Sequence, residues 1–259
     1  MFCNLKKLIS PRKSRVRVTG CLCGILSLHI AFAEQIVVQE SFTSIVREKD
    51  SVAQHSVDKK ISADFQDDAI ALMNASAIGD AEEVKALLAD EEIDPNLRDN
   101  RGMTALMRAS VVGHLGVVKA LLSDKRVDPN LQDNKGMTAL MMASIEGHPI
   151  TVKALLSDKR VDLNLQDNDG MTSLVLASSA GHLDIVKALV ADERISPNLQ
   201  DNGSREALIV AVVRGHLEIV KVLLDSNKVK MDMQDYAGRI AYQMASARGD
   251  IEMAGLLIE

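Results

Sequence analysis

The sequence repeats itself with a period of 34 residues, and no other feature constrains the fold so strongly. The string Gly-Met-Thr-Ala/Ser-Leu begins at Gly102, Gly136 and Gly170. Gly-His returns at His114, His148, His182 and His216, and Val-Lys at Lys119, Lys153, Lys187 and Lys221, with a further match at Lys85. Residues 99–132 and 133–166 are identical at 26 of 34 positions. A single-copy fold has no reason to produce this register. A stack of like units does, because every unit meets the same neighbour on each side. Extended in both directions, the register divides the array into units at 65–98, 99–132, 133–166, 167–200, 201–234 and 235–259.

Spacing within residues 99–132 predicts the local structure. Ala105, Leu106 and Ala109 share one face of a short helix that Thr104 is suited to cap. Gly113 is placed to end that helix in the left-handed conformation. A second helix from about Leu115 carries Val117, Val118, Leu121 and Leu122 on one side, and Asp128-Pro129-Asn130 is expected to break it. An extended loop then leads into the turn sequence Asp133-Asn134-Lys135-Gly136. Neither helix can cover its apolar face alone, so neighbouring units must supply the missing surface. Composition agrees: aromatics are 2% of the chain and Trp is absent, so the core must be built from Ala, Val, Ile, Leu and Met. That favours packed helices over an aromatic-rich β-sandwich.

At these residues the chain resembles the ankyrin repeat. The family pattern G-x-T-P-L-H-x-A-A-x-x-G-H-x-x-V-V-x-L-L appears as Gly102-Met103-Thr104-Ala105-Leu106-Met107-Arg108-Ala109-Ser110, followed by Gly113-His114, Val117-Val118 and Leu121-Leu122. The resemblance covers residues 65–259 and implies an all-α solenoid of about six helix-turn-helix repeats joined by extended, hairpin-like loops. Two departures stand out. The Thr-Pro-Leu-His proline is replaced by Ala105, Ala139, Ser173, Ala207 and Ala241, and its histidine by Met107, Met141, Val175, Ile209 and Gln243. In the family that histidine ties repeats together, so the junctions here are expected to rely on apolar contact. The period is 34 where the family usually has 33. The extra residue falls within Ser123–Asn130, where it should leave the stack unaltered.

The first 33 residues are a different kind of sequence. They hold six basic and no acidic side chains, so the chain's net charge of −6 becomes −12 for the remainder. A basic start, the apolar run from Gly20 to Ala33 and the small-x-small ending Ala31-Phe32-Ala33 before Glu34 are the three parts of a secretory signal peptide. The run is too short to span a bilayer as a helix, which takes about 20 residues. The expectation is cleavage after Ala33, a periplasmic or secreted product, and no membrane attachment afterwards. A lipid anchor at Cys21 and a mitochondrial transit peptide are the lesser readings. Cys3, Cys21 and Cys23 all precede the cleavage point, so the mature chain would lack disulfides and thiol chemistry. Residues 34–64 read as a partly helical linker.

Chemistry-bearing patterns are weak. The four histidines lie one repeat apart, about 8 to 10 Å for packed helices, whereas a zinc ligand must come within about 2.1 Å of its ion. They read as junction residues that bond backbone, and no metal or other cofactor is expected. Ser110, Ser144, Ser178 and Ser246 recur at one register, which signals packing and not a unique nucleophile. His55 stands alone outside the array, and no phosphate-binding glycine loop or paired-carboxylate motif is present. The chain is therefore not expected to be an enzyme. Its acidity and scarcity of rings argue against nucleic acid as a partner.

Repeat arrays bind partners along an extended surface. In ankyrin proteins, contacts come from the loop tips and the exposed side of each first helix. Carried onto this sequence, the resemblance implicates Asn100, Arg101, Met103, Val111 and Val112, then Asn134, Lys135, Met137, Ile145 and Glu146, then Asn168, Asp169 and Met171. Later units add Arg205, Val213, Arg214, Tyr236, Arg239 and Arg248. This strip is apolar early and basic late. Met103, Met137 and Met171 form a ladder that reads as an adaptable binding strip, as an oxidation site, or as packing against the next loop. The expectation is a monomeric, exported bacterial scaffold that binds a protein partner on its concave face. The alternative is a secreted effector that binds a host protein inside another cell.

Overall fold

Thr104 shows how each unit begins. Its backbone is extended, its hydroxyl accepts the Met107 amide at 3.3 Å, and the chain turns helical at Ala105. Thr138 and Thr172 do the same one and two periods later. Gly113 closes the helix with φ +80°, as its lack of a Cβ allows. A second helix starts two residues further on.

The computed structural model describes residues 63–235 and 237–258, with side chains from residue 70. The segment read as a signal peptide, most of the 34–64 stretch read as a linker, the three cysteines, His55 and Tyr236 lie outside the described residues. Among the described residues the fold is all-helical, with twelve helices in six pairs. The pairs are α1 (Ala63–Ile78) with α2 (Ala81–Leu88), α3 (Ala105–Val112) with α4 (Leu115–Ser123), and α5 (Ala139–Ile145) with α6 (Pro149–Ser157). They continue as α7 (Ser173–Ala180) with α8 (Leu183–Ala191), α9 (Ala207–Arg214) with α10 (Leu217–Asp225), and α11 (Ala241–Ala247) with α12 (Ile251–Leu256).

First helices pack on first helices along one row, and second helices on second helices along another. Leu106, Leu140, Leu174 and Leu208 are buried in the first row, and Leu121, Leu155, Leu189 and Leu223 in the second. Burying one such Leu contributes about 1.5–3 kcal/mol, and the array repeats it at every rung. Met103, Met137 and Met171 are half-buried against this core, so the methionine ladder packs. Ser110, Ser144 and Ser178 are fully buried between first helices, whereas Ser246 is exposed.

Two boundaries differ from the sequence reading. The first helix runs from Ala63 through residues that form a hairpin in every later unit. Its segment lacks both the turn glycine and the capping Thr, since Ile70 stands at the register of Thr104, and nothing there interrupts the helix. The second helices end well before Asp128-Pro129-Asn130. Helix α4 stops at Ser123 because Asp124 is extended, with ψ near 120°, and its carboxylate accepts the Arg126 amide at 2.8 Å. Asp158 and Asp192 terminate α6 and α8 in the same way.

Candidate interaction face

The hairpins are built on aspartate. Asp133 Oδ1 accepts the amides of Lys135 and Met137, both at 2.8 Å, and its own amide donates to the Met137 carbonyl. Asp99, Asp167, Asp201 and Asp235 repeat this turn. Successive hairpins are joined edge to edge. The Asn134 amide donates to the Arg101 carbonyl at 2.9 Å, and its side chain donates to the Asn100 carbonyl at 3.0 Å. Asn168 and Asn202 continue the ladder. Behind it, Gln132, Gln166 and Gln200 each donate to the carbonyl one period ahead, and Arg98 fills that register in the first unit.

The loop holding the extra residue is a second bridge. Arg126, Arg160 and Arg194 follow Asp124, Asp158 and Asp192 by two residues and pair with them at 2.6–2.7 Å. Each guanidinium then donates backwards to the preceding unit. Arg160 reaches the carbonyls of Leu122 at 2.9 Å, Lys125 at 3.3 Å and Val127 at 2.8 Å. The Arg hydrogen bonds hold the Asp124 and Asp158 carboxyls below their ordinary range, and Asp192 is lowered to about 2. Asn96, Asn130, Asn164 and Asn198 complete the bridge. Asn130, for example, donates to the Arg160 carbonyl at 2.8 Å and accepts the Asp162 amide at 2.7 Å.

These ladders correct the expectation that junctions rest on apolar contact. Loss of the family histidine is made good elsewhere, by the hairpin and loop bonds. The extra residue does not merely pass over the back of the array; its loop carries the Asp-x-Arg bridge. Sequence reasoning missed this, although Asp124-Lys125-Arg126, Asp158-Lys159-Arg160 and Asp192-Glu193-Arg194 recur one period apart at the site of the insertion.

The Gly-His histidines behave as junction residues. His148 Nε2 donates to the Val111 carbonyl at 2.9 Å, and His114, His182 and His216 reach back to Ala77, Ile145 and Ser179. The acceptors lie in the last turn of the preceding first helix. The ring stacks over the glycine that ends that helix: a Cβ on Gly113 would come within 2.6 Å of His148 Nδ1. At the last junction Asp250 stands in the histidine's place and caps α12, and Arg248 donates to the corresponding carbonyl, Val213.

The residues implicated at the sequence level therefore divide. Asn134 and Asn168 are exposed but belong to the hairpin ladder, while Asn100 and Arg101 supply its acceptors. Met103, Met137 and Met171 are half-buried, as are Val111 and Ile145. The late cationic patch is largely committed to structure. Arg205 and Arg239 each pair at 2.8 Å with a buried aspartate, Asp201 and Asp235, and Arg248 holds the Val213 carbonyl. Exposed and outward at the ends of the first helices are Val112, Glu146, Val213 and Arg214, with Lys135 and Asp169 at the hairpin tips. Ile78, at the Val112 register one unit earlier, is 68% exposed and extends the apolar end of the strip.

A stack of capped helix pairs with outward hairpins defines a class of repeat scaffold, and comparison with known proteins places it. Family models described as ankyrin repeats match residues 41–133 and 113–201 (three copies) and 208–258 (many copies). The chain belongs to the ankyrin repeat family. Among solved structures it is similar to EF0377, an ankyrin repeat protein, with 28% identity and a TM-score of 0.68 over 74% of this chain and 98% of that one. It is likewise similar to an ankyrin repeat domain, ABAYE2397, from Acinetobacter baumannii AYE. That match has 27% identity and a TM-score of 0.67, over 72% of this chain and 95% of that one. No curated protein matches the sequence. Ankyrin arrays are protein-interaction scaffolds and generally not catalysts. Among the described residues no helix is long and apolar enough to cross a membrane.

Proposed function

We propose that the chain is an exported scaffold that captures a protein partner with the outward ends of its first helices and its hairpin tips. The observation that carries this reading is the exposed apolar pair Ile78 and Val112, 68% and 45% accessible, followed along the same register by Glu146, Ala180 and Arg214. The hairpins are locked to one another by the Asn and Gln ladders, so the face is rigid before binding and loses little entropy on association. The partner fitted to it is a folded protein or peptide with an apolar centre and an acidic edge. Export rests on the leader sequence alone, with its basic start, apolar run and Ala31-x-Ala33 ending.

The test is affinity capture with the purified full chain from the envelope fraction of its own cells. Val112→Glu and Arg214→Glu should each lose the captured partner, whereas Lys119→Glu on the second-helix row should keep it. Capture that survives both substitutions overturns the assigned face. Fractionation with N-terminal sequencing tests export, and a mature protein beginning at Glu34 in the periplasm or medium is the expected result.

A further inference from the structure

The fifth unit breaks the pattern at one hairpin. Ser204 stands where units two, three, four and six have Gly102, Gly136, Gly170 and Gly238, yet it keeps their left-handed backbone, with φ +57°. That conformation is strained for a residue with a Cβ. Two residues on, Glu206 occupies the capping position held by Thr104, Thr138 and Thr172. Glu206 is 1% exposed, and its Oε2 is buried with no hydrogen-bond partner. Between them, Arg205 is drawn onto Asp201 Oδ2.

Among the described residues no salt bridge reaches Glu206, and Arg214, the cation of its own helix α9, sits in the last turn at the far end. Helix α7, packed on one side of α9, carries no ionisable side chain, and α11 on the other side carries only Tyr242. Helix α10 brings Glu218, Lys221 and Asp225, of which Lys221 is held by Glu218 at 2.9 Å. The flanking hairpins contribute Asp167 and Asp169 before, and Asp235 with its own Arg239 after. On its own hairpin the only cation is Arg205, already paired. Burial pushes the Glu206 carboxyl up to about 7 and the charge of Asp201 adds to the rise, against the pull of the Glu206 and Ile209 backbone amides and of the Gln200 side chain.

We propose that residues 201–206 form a protonation-gated latch: with Glu206 neutral the hairpin closes on its neighbours, and with Glu206 ionised it opens to water and loosens the last two units. The sign follows from linkage. A carboxyl raised in the folded state favours the closed form below its ordinary value of 4.5, and that advantage is lost as pH rises through about 7. The strained Ser204 lowers the barrier to leaving the closed turn at any pH. The latch does not depend on which partner the array binds.

Hydrogen exchange of the full chain, read by mass spectrometry at pH 5.5 and 8.5 and referenced to intrinsic rates, tests it. In the native sequence, peptides covering 201–214 should lose protection about tenfold or more at the higher pH, while those covering 105–180 hold theirs. Glu206→Gln should remove the pH dependence, as should Glu206→Thr, which restores the cap of the other units and keeps the test valid if the glutamine variant fails to fold. Ser204→Gly should raise protection at both pH values. Equal protection of 201–214 at both pH values overturns the latch, as does a loss spread evenly over all units or a pH response that survives both Glu206 substitutions.

Discussion

The junction between the third and fourth units and the junction between the fifth and sixth are made from the same helix pairs, yet they are held differently. At the former, His182, Asn164, Gln166, Asn168 and Arg194 all cross, each to a backbone group of the neighbour. At the latter, Arg248 donates to the Val213 carbonyl and Lys221 pairs with Glu252 at 3.5 Å. Apolar burial is shared by both, since Leu189 and Leu223 are equally buried. The helices alone make a stack; the hairpin and loop ladders fix its register and make neighbouring units depend on each other. At this end of the array Arg248 takes over the bond to the last turn of the preceding first helix, and Ile251 of the last unit is 87% exposed.

Glycine substitutions should separate the two regions most sharply. A Cβ on Gly136 would lie 2.7 Å from the Asn168 amide of the next hairpin, at φ +78°. Gly136→Ala is expected to cost about 2–4 kcal/mol, combining backbone strain with displacement of the neighbour. Gly249 has a similar φ, +71°, but nothing within 4 Å, so Gly249→Ala should cost only the strain, about 1–2 kcal/mol. Urea denaturation measures both, and equal losses would dissolve the distinction between the regions.

Next in size is removal of the loop bridge. Arg160→Met strips three carbonyls and Asp158 of their donor and should cost about 1–2 kcal/mol, the side chain being about one-third exposed. Arg248→Met removes one such bond at an exposed position and should cost under about 1 kcal/mol. A further effect concerns pH. Asp192 is lowered by Arg194 to about 2, so its contribution is complete above the ordinary value of 3.8 and is lost as pH falls towards 2. Acid titration followed by circular dichroism should show a shallower decline for Arg194→Met than for the native chain.

Thr-capped helix starts, glycine stops and the histidine junctions were legible in the sequence because each depends on local chemistry: Thr before an apolar run, Gly after it, His beside the Gly. The ladders were not, for a physical reason. Recurrence of Asn134, Asn168 and Asn202 shows that the position is constrained, but a side chain that bonds the neighbouring backbone and one that contacts a partner recur equally well. Arg205 and Arg239 illustrate the same limit. As a list of charges they form a cationic patch, and only their distance to Asp201 and Asp235 shows that those aspartates already hold them. The extra residue looks inert in the sequence because an inserted loop residue on a surface is usually tolerated; here it belongs to the loop whose Asp-held Arg binds the unit behind.

The Asp-x-Arg bridge also sets a rule of compatibility. Each guanidinium in it reaches exchangeable partners, main-chain carbonyls, at fixed offsets in the preceding unit. A further copy of the 34-residue module could be spliced between two existing ones and find its acceptors waiting on one side and its donors wanted on the other. A 33-residue module from a relative would match the helices but leave the guanidinium behind it without a seat. Length, in this array, works as a password between neighbours.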